Sequence, residues 1–386
     1  MFKKTAFICV LAAALIVLPS AKPKQPKAVT RFEKDTQALI EEMNIVGMGA
    51  ALIQKGEVIY SNGFGLADQS NETAFTSQSV LKIAALSRPF ITIAVLQQVE
   101  QGKINLDKDV SEYLGFQLRN PSYPEIPITV RMLLNSTSTI VSSVPSLADL
   151  DASKNPELAK YFEEKGKPGV KHNSSTAAFN VAAAIVEKVS GERFDAYCAA
   201  HLFQPMGITA GFMKEDFEAG AVAKSYNWST KSNKYINQKK AYPVLDLENY
   251  VLGESTFNLR PGGIMTNLEG LTAFAQTILN LGVCPTTGNK ILSDAMCFEM
   301  LRPQANKKRS GLGIAYNTTA VPDYVLGAVT GVTSGTTTCF YFNMEDKIAM
   351  VALCNGARDA EPDSNGKIDN HFNREIRKIF TDNFVK

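Results

Sequence analysis

Ser79 and Lys82 have the spacing Ser-x-x-Lys, in which a lysine can take the proton from a serine that attacks a carbonyl carbon. That transfer requires both side chains on one face of a helix, where residues three positions apart are neighbours. Residues 79–82 precede the helix that the sequence predicts from Ala85, so we expect them to be extended. In an extended segment the two side chains point to opposite faces, and Ser79 is therefore only an alternative candidate for a nucleophile.

The helix that follows begins with Ala85-Leu86-Ser87-Arg88 and continues as PFITIAVLQQVEQG. It is apolar nearly all round, which predicts a buried central helix that closes at Gly102. Ala85 carries no nucleophile, and Arg88 cannot give up a proton near neutral pH. Ser87 is a second alternative nucleophile, but its helical position turns it away from the face that Ala85 presents.

Histidine and cysteine form no metal-binding pattern in this chain. The three histidines, His172, His201 and His371, are far apart, and we interpret His172 as a solvated loop residue. Five cysteines follow residue 21, an odd number that does not indicate a disulfide framework, namely Cys198, Cys284, Cys297, Cys339 and Cys354. They are expected to be small buried hydrophobes, with a bridge between Cys284 and Cys297 as the open alternative. We expect no metal and no cofactor.

The 386 residues divide into an N-terminal leader and one large body. Residues 1–21 combine two lysines, an apolar run and small residues, which predicts a cleaved signal peptide and a secreted or periplasmic protein. An uncleaved membrane anchor is the alternative, although the run is short for a bilayer, and no later segment is expected to span a membrane. Residues 22–30 are a predicted polar linker, and residues 31–386 a single domain. The formal charge of +2, with both signs interspersed, does not indicate nucleic acid as a partner.

The order of the predicted elements indicates an α/β (α+β) fold. Helices are predicted over 28–43, 85–101, 177–190, from a capping box at 266–269, and around 372–380. Strands are predicted within 48–66, with a turn at Lys55-Gly56, and over 337–343 and 347–354. We expect the N- and C-terminal strands to share an antiparallel sheet flanked by helices. The sheet lobe would comprise about 31–83 and 255–386, and a helical lobe about 84–254.

Several segments resemble, in the same order, the serine β-lactamase and penicillin-binding-protein family, in its class C and esterase-like branch. They are VLQQVEQGKINLDKDVSEYL after Arg88, RMLL from Arg131, AAAIVEKVSGERF from Ala182, HLFQPMGI from His201 and PGGIMTNLEGLTAFAQTILN from Pro261. The resemblance covers most of the chain after the leader. It implies a β-lactamase/transpeptidase-like fold and the ancestry of a serine hydrolase.

The catalytic motifs of that family are degenerate here. Ala85 and Arg88 occupy the positions of its Ser-x-x-Lys serine and lysine, and Ser174-Ser175-Thr176 those of its Tyr-x-Asn. Val329-Thr330-Gly331 occupies the place of Lys-Thr-Gly or His-x-Gly, where valine offers neither charge nor hydrogen bond. The flanking pattern Leu-Leu-Thr-His-Thr-Ser-Gly reads LLNSTST over 133–139, without the histidine and the glycine.

Two classes of function follow from these residues. The preferred interpretation is a secreted, non-catalytic homologue that binds a peptidoglycan-like peptide, another carboxylate ligand or a protein partner through the former active-site cleft. Its candidate ligand-binding residues are Arg88, Ser174, Thr330 and Gly335. The rival is an active hydrolase that uses Ser79, Ser87 or Ser174 as a non-standard nucleophile. A scaffold whose cleft has no role is a third possibility.

Overall fold

A computed structural model of the chain describes residues 26–238, 245–304, 310–321, 324–357 and 371–385. The predicted signal peptide, residues 1–21, lies outside these residues, as do residues 22–25 of the predicted linker. The first helix begins at Lys27, so the last residues assigned to the linker are helical. Within the described ranges, no helix combines the length and the apolar character that a membrane crossing requires.

The described helices and strands alternate irregularly along the chain. The α-helices are α1 (Lys27–Glu42), α2 (Ser87–Glu100), α3 (Ser111–Leu114), α4 (Val130–Leu134), α5 (Thr176–Ser190), α6 (Phe194–Cys198), α7 (Gln204–Met206), α8 (Thr256–Leu259), α9 (Leu268–Leu279), α10 (Asp294–Leu301) and α11 (His371–Phe384). The strands are β1 (Gly47–Gln54), β2 (Glu57–Asp68), β3 (Thr73–Ala74), β4 (Leu81–Lys82), β5 (Ala210–Gly211), β6 (Tyr226–Ser229), β7 (Lys234–Asn237), β8 (Met265–Thr266), β9 (Ala315–Val321), β10 (Tyr324–Thr333), β11 (Thr336–Asn343) and β12 (Ile348–Cys354).

The main sheet has seven strands in the order β3-β2-β1-β12-β11-β10-β9. Strand β1 pairs antiparallel with β12, from Met48 opposite Cys354 to Ile53 opposite Ala349. The tight turn between β1 and β2 places Lys55 at φ +53° and Gly56 at φ +81°, the left-handed conformations that a two-residue hairpin requires. The predicted antiparallel sheet that joins both ends of the chain is confirmed.

The buried strand β12 separates two hydrophobic clusters, because successive side chains of a strand point to opposite faces. One cluster contains apolar residues of α1 and α11 together with Met350, Ala352 and Cys354. The other contains Ala349, Val351 and Leu353, and it extends through α9 to α2 and α5. The sheet is thus covered by the terminal helices on one face and by the rest of the molecule on the other.

Two details differ from the sequence-based expectations. The N-cap of α9 is Asn267, whose side chain accepts a hydrogen bond from the Gly270 amide at 2.8 Å, whereas Thr266 was expected to cap it in a capping box. The Thr266 hydroxyl instead donates to the Thr209 carbonyl. The region 84–254 also contains the short strands β5, β6 and β7, which are too brief to produce a recognisable alternation.

Candidate functional site

The start of α2 is held against the sheet by a close backbone approach. Ala85 lies in a single 3-10 turn, Ala84–Leu86, in which Ala84 has φ +49°, a strained value for a residue with a side chain. A β-carbon on Gly331 would lie 2.5 Å from the Ile83 carbonyl oxygen and 2.9 Å from the Ala85 nitrogen. The glycine on β10 therefore allows this strand to lie directly beside Ala85.

A cavity of about 230 Å³ lies in front of Ala85. Among the described residues, its wall carries the guanidinium of Arg88, the imidazole of His172, and apolar and hydroxyl groups from segments far apart in sequence. The principal apolar contributors are Leu134, Phe179, Ile314 and Val329, and the hydroxyl groups belong to Ser136, Ser174, Ser310 and Thr330. Of the described residues that line the cavity, none is an aspartate, glutamate, lysine or tyrosine.

Arg88 supplies a positive charge to the described part of this site. Its Nη1 donates a hydrogen bond to Ser174 Oγ at 2.7 Å, and its guanidinium carbon lies 5.2 Å from the centre of the Phe179 ring. Burial lowers the pKa of the Arg88 guanidinium from its ordinary value, yet arginine stays protonated in proteins. No ion pair of Arg88 occurs among the described residues. The guanidinium of Arg88 thus borders the cavity, and the contacts described for it are a hydroxyl and an aromatic face.

Ser174 is positioned by the N-terminus of α5. The side chain of Ser175, the N-cap, accepts a hydrogen bond from the Ala178 amide at 3.1 Å, as serine commonly does there. The Ser142 hydroxyl donates to the Ser174 carbonyl at 3.2 Å. These bonds fix the backbone on both sides of Ser174, whose side chain is exposed at the edge of the cavity.

Of the remaining candidate positions, some line the cavity and others lie outside its described wall. Val329 and Thr330 line it, and Gly331 lies against the backbone of Ala85. Thr176, the first residue of α5, is exposed and contributes no part of the described cavity wall. Gly335 also lies elsewhere, in the turn between β10 and β11, where its φ is +67° and an added β-carbon would lie 2.6 Å from the Tyr226 nitrogen. A ligand in this cavity would therefore not contact Gly335.

The two alternative nucleophiles lie outside the described wall of the cavity. Ser87 is fully buried, and its hydroxyl donates to the Gly262 carbonyl at 3.1 Å and accepts from the Ile264 amide at 3.2 Å. Ser79 accepts from the Thr76 amide at 3.0 Å in a local turn. Lys82, in the short strand β4, has its pKa lowered by burial and by the nearby Arg260. Both serines therefore hold backbone together, and their hydroxyl groups face away from the cavity.

Ser136, which the sequence did not single out, lines the cavity. His172, interpreted as a solvated loop residue, lies in a loop, is half-buried and also lines the cavity. Ser136 has φ +62°, and Thr139, in the same loop, has φ +66°. The amide of Asn173 donates to the Ser136 carbonyl at 2.7 Å, which brings the residue after His172 to this loop. The sequence did contain a signal for Ser136, because this residue stands where the family pattern over 133–139 has a histidine.

The other histidines and the cysteines take no part in the cavity. His201 Nε2 lies 3.0 Å from Glu192, and His371 contacts Arg374 in α11. The five cysteines of the described chain are buried, and none of them forms a disulfide. Cys284 donates to the Met206 carbonyl, at 3.4 Å, and is not bridged to Cys297. Within the described ranges, no group of three or more histidine, cysteine or carboxylate side chains is arranged to hold a metal ion.

The sequence of this chain is similar to those of a penicillin-binding protein and an esterase. The putative penicillin-binding protein PbpX of Bacillus subtilis (strain 168) is 31% identical over 196 residues, which are 50% of this chain and 47% of that protein. The esterase EstB of Burkholderia gladioli is 27% identical over 201 residues, 47% of this chain and 51% of that protein. The chain thus spans about half the length of these curated relatives.

The fold is shared with a solved structure of an octameric penicillin-binding protein homologue from Pyrococcus abyssi. The TM-score is 0.69 at 20% sequence identity, and the match covers 85% of this chain and 73% of that chain. The profile of the Beta-lactamase family matches residues 32–371. Because this match extends over most of the chain, the protein belongs to the beta-lactamase family.

Proposed function

We propose that this protein is a secreted, non-catalytic member of its family that uses the former active-site cleft to bind a ligand. The observation that carries the proposal is the side chain at the entrance of α2, where Ala85 offers the cavity a methyl group and no nucleophile. Loss of a catalytic serine typically lowers turnover by on the order of a million-fold, which leaves only the contribution of binding.

The cation next to Ala85 supports the same conclusion. A serine hydroxyl needs a neighbouring base to become a nucleophile, and Arg88 stays protonated near neutral pH. The Ser174 hydroxyl accepts its hydrogen bond from Arg88, which supplies no base. Ser79 and Ser87 use their hydroxyl groups to hold nearby backbone. The sequence-based candidates therefore lack the pairing that acyl transfer requires.

The cleft itself favours retained binding over a collapsed scaffold. An open cavity lies in front of Ala85, and its described wall combines a cation, several hydroxyl groups and apolar surface, a typical composition for ligand sites. We infer that the ligand is a peptidoglycan-like peptide, another carboxylate compound or a segment of a protein partner. Export through the N-terminal segment, residues 1–21, would deliver the protein to the periplasm or the exterior, where cell-wall peptides occur.

Covalent labelling tests whether the protein is catalytic. The purified protein is mixed with a fluorescent penicillin or with a fluorophosphonate, and its intact mass is measured. We expect no adduct, because Ala85 presents a methyl group where the family has its nucleophile, and the neighbouring Arg88 stays protonated. A stoichiometric adduct on one serine would establish the rival function, an active serine hydrolase with a non-standard nucleophile.

The rival function has one specific observation in its favour. Ser136 and His172 line the same cavity, and Ser136 has a strained backbone at φ +62°, a condition that is frequent at functional sites. If an adduct forms, peptide mapping and the variants Ser136→Ala and Ser174→Ala would identify its position. Loss of the adduct in Ser136→Ala alone would assign the nucleophile to that residue.

A further inference from the structure

The charge of Arg88 is not balanced within the described part of the site. Three half-buried arginines have carboxylate partners: Arg119 has Asp109, Arg131 has Glu299, and Arg193 has Asp195. The described wall of the cavity contains no acidic residue. The guanidinium of Arg88 contacts the hydroxyl of Ser174 and the ring of Phe179 instead. Removing a cation from water without a counter-charge is costly, and a bound anion would recover that cost.

The hydrogen-bond donors around the cation define the shape of such an anion. A guanidinium has five N–H donors arranged as a planar fork, and Nη1 of Arg88 makes the bond to Ser174. Because Ser174 Oγ accepts that bond, its own proton is directed elsewhere, and its side chain is exposed at the cavity edge. A carboxylate placed beside both groups would accept from the fork with one oxygen and from Ser174 with the other.

The rest of the cavity favours an apolar body on the same molecule. Phe179, Leu134 and Ile314 contribute apolar surface, and the methyl group of Ala85 leaves space beside Arg88. The volume of about 230 Å³ is many times the roughly 10–15 Å³ that a single buried water requires. This volume suits a compact organic acid better than a bare inorganic anion, which would leave the apolar wall uncovered.

We propose that the cavity is a recognition site for a small monocarboxylate with an apolar body. The carboxylate lies between Arg88 and Ser174 in the space before Ala85, and the apolar part packs on Phe179. This inference rests on the proposed function, because an acylating site would use the same space for the reacting carbonyl group. The carboxylate can be a free metabolite or the C-terminus of a peptide, and both share the same anchoring chemistry.

Matched pairs of ligands test the charge requirement. Phenylacetate and 3-phenylpropionate are titrated against the purified protein by calorimetry, each beside its primary amide, with acetate and inorganic phosphate as further probes. An N-acetylated dipeptide with a free C-terminus, beside its C-terminal amide, distinguishes the peptide source from a free acid. We expect each acid to bind at least tenfold more tightly than its amide, since the amide loses the charge-assisted bonds.

Variants of the anchoring residues connect binding to the geometry. Arg88→Met should raise the Kd for phenylacetate about 30-fold, as expected for lost hydrogen bonds to a charged group, and Arg88→Lys about tenfold, because an ammonium lacks the fork. Ala85→Leu should abolish binding by filling the space beside Arg88. Lys103→Met is the matched control, because it removes an exposed cation just beyond α2, and it should leave the Kd unchanged.

The outcomes separate this inference from the proposed function. Equal affinity for acid and amide, tighter binding of phosphate than of any acid, absence of binding at millimolar concentration, or an unchanged Kd in a folded Arg88→Met protein would each overturn the carboxylate site. None of these results involves a covalent adduct, which alone would refute the non-catalytic assignment. Thermal unfolding of every variant verifies that a lost affinity does not reflect a lost fold.

Discussion

Glu187 provides the sharpest test of how the helical part of the molecule is held together. Its side chain has no exposed surface in α5. Its Oε1 accepts hydrogen bonds from the Phe194 amide and the Tyr250 hydroxyl, both at 2.8 Å. Its Oε2 accepts from the Gly253 amide at 2.7 Å and from the Thr256 hydroxyl. One carboxylate thus ties α5 to α6 and to the segment that leads into α8.

The substitution Glu187→Gln keeps the size of the side chain but not its pattern of acceptors. Each carboxylate oxygen receives one backbone N–H and one hydroxyl. A hydroxyl can reverse its direction, whereas a backbone N–H cannot, so the new amide nitrogen faces one backbone donor in either orientation. One buried donor without an acceptor costs about 1–3 kcal/mol, and the charge-assisted strength of the other bonds is also lost. We expect a loss of about 3 kcal/mol in the free energy of unfolding.

The measurement is urea unfolding at neutral pH, followed by circular dichroism and by the fluorescence of the single tryptophan, Trp228. Glu218→Gln is the matched control, because Glu218 is exposed, and it should stay within about 0.5 kcal/mol of the wild type. Glu187→Ala, which leaves all four donors without their acceptor and opens a cavity, should cost at least about 4 kcal/mol. If Glu187→Gln unfolds at the same urea concentration as the control, the argument from four converging donors is refuted.

Three further predictions concern the site and its support. The double variant Ala85→Ser with Arg88→Lys restores a serine and a lysine at the family positions, while Ser174 and Val329 keep their non-family identities. Intact mass spectrometry should detect acylation by a fluorescent penicillin at position 85, and a folded but unlabelled variant would contradict the view that Ala85 and Arg88 are the main barrier to acylation. Burial alone would raise the pKa of Glu299, but hydrogen bonds from Arg302 and Arg131 lower it below 4.5. The stabilisation by this carboxylate is therefore present above pH 4.5 and is lost as the pH falls through the lowered pKa. The Tm difference between wild type and Glu299→Gln should shrink from pH 7 to pH 3, and a difference that grows would contradict the assignment. Gly313 has φ +72°, and a β-carbon there would lie 2.5 Å from the Thr92 hydroxyl on α2. Gly313→Ala should therefore lower the free energy of unfolding by about 2 kcal/mol, measured by thermal unfolding. An unchanged Tm would show that the backbone beside Arg88 can shift to accommodate the added methyl group.

Much of the fold was predictable because local patterns report burial. The turn at Lys55-Gly56, the buried helix near Ala85 and the C-terminal helix all follow from short-range periodicity and from glycine's conformational freedom. The cap of α9 was misassigned by one residue, because Thr266 and Asn267 are both good N-cap residues and only the chain path selects between them. Strands of two residues, such as β5 and β8, depend on partners distant in sequence and leave no local signal.

The candidate site was only partly predictable from the sequence. Family motifs identified Arg88, Ser174 and Thr330, which the structure brings to one cavity. They also suggested Gly335, which packs on Tyr226 at another turn. Ser136 was not selected, because its motif position lacked the expected histidine and its unusual φ cannot be read from residue types.

By itself, the order of the amino acids determined the family, the shared sheet of the two chain ends, and the absence of a hydroxyl at position 85. Residue identity alone decides that position 85 carries no nucleophile, so no folding detail can alter that statement. Only the tertiary structure decided that Arg88 meets Ser174 and Phe179 without a described acidic neighbour, and that Ser87 turns into the interior. Those relationships join segments separated by up to 177 positions in the chain, and they depend on how helices and strands pack, which local sequence patterns do not encode.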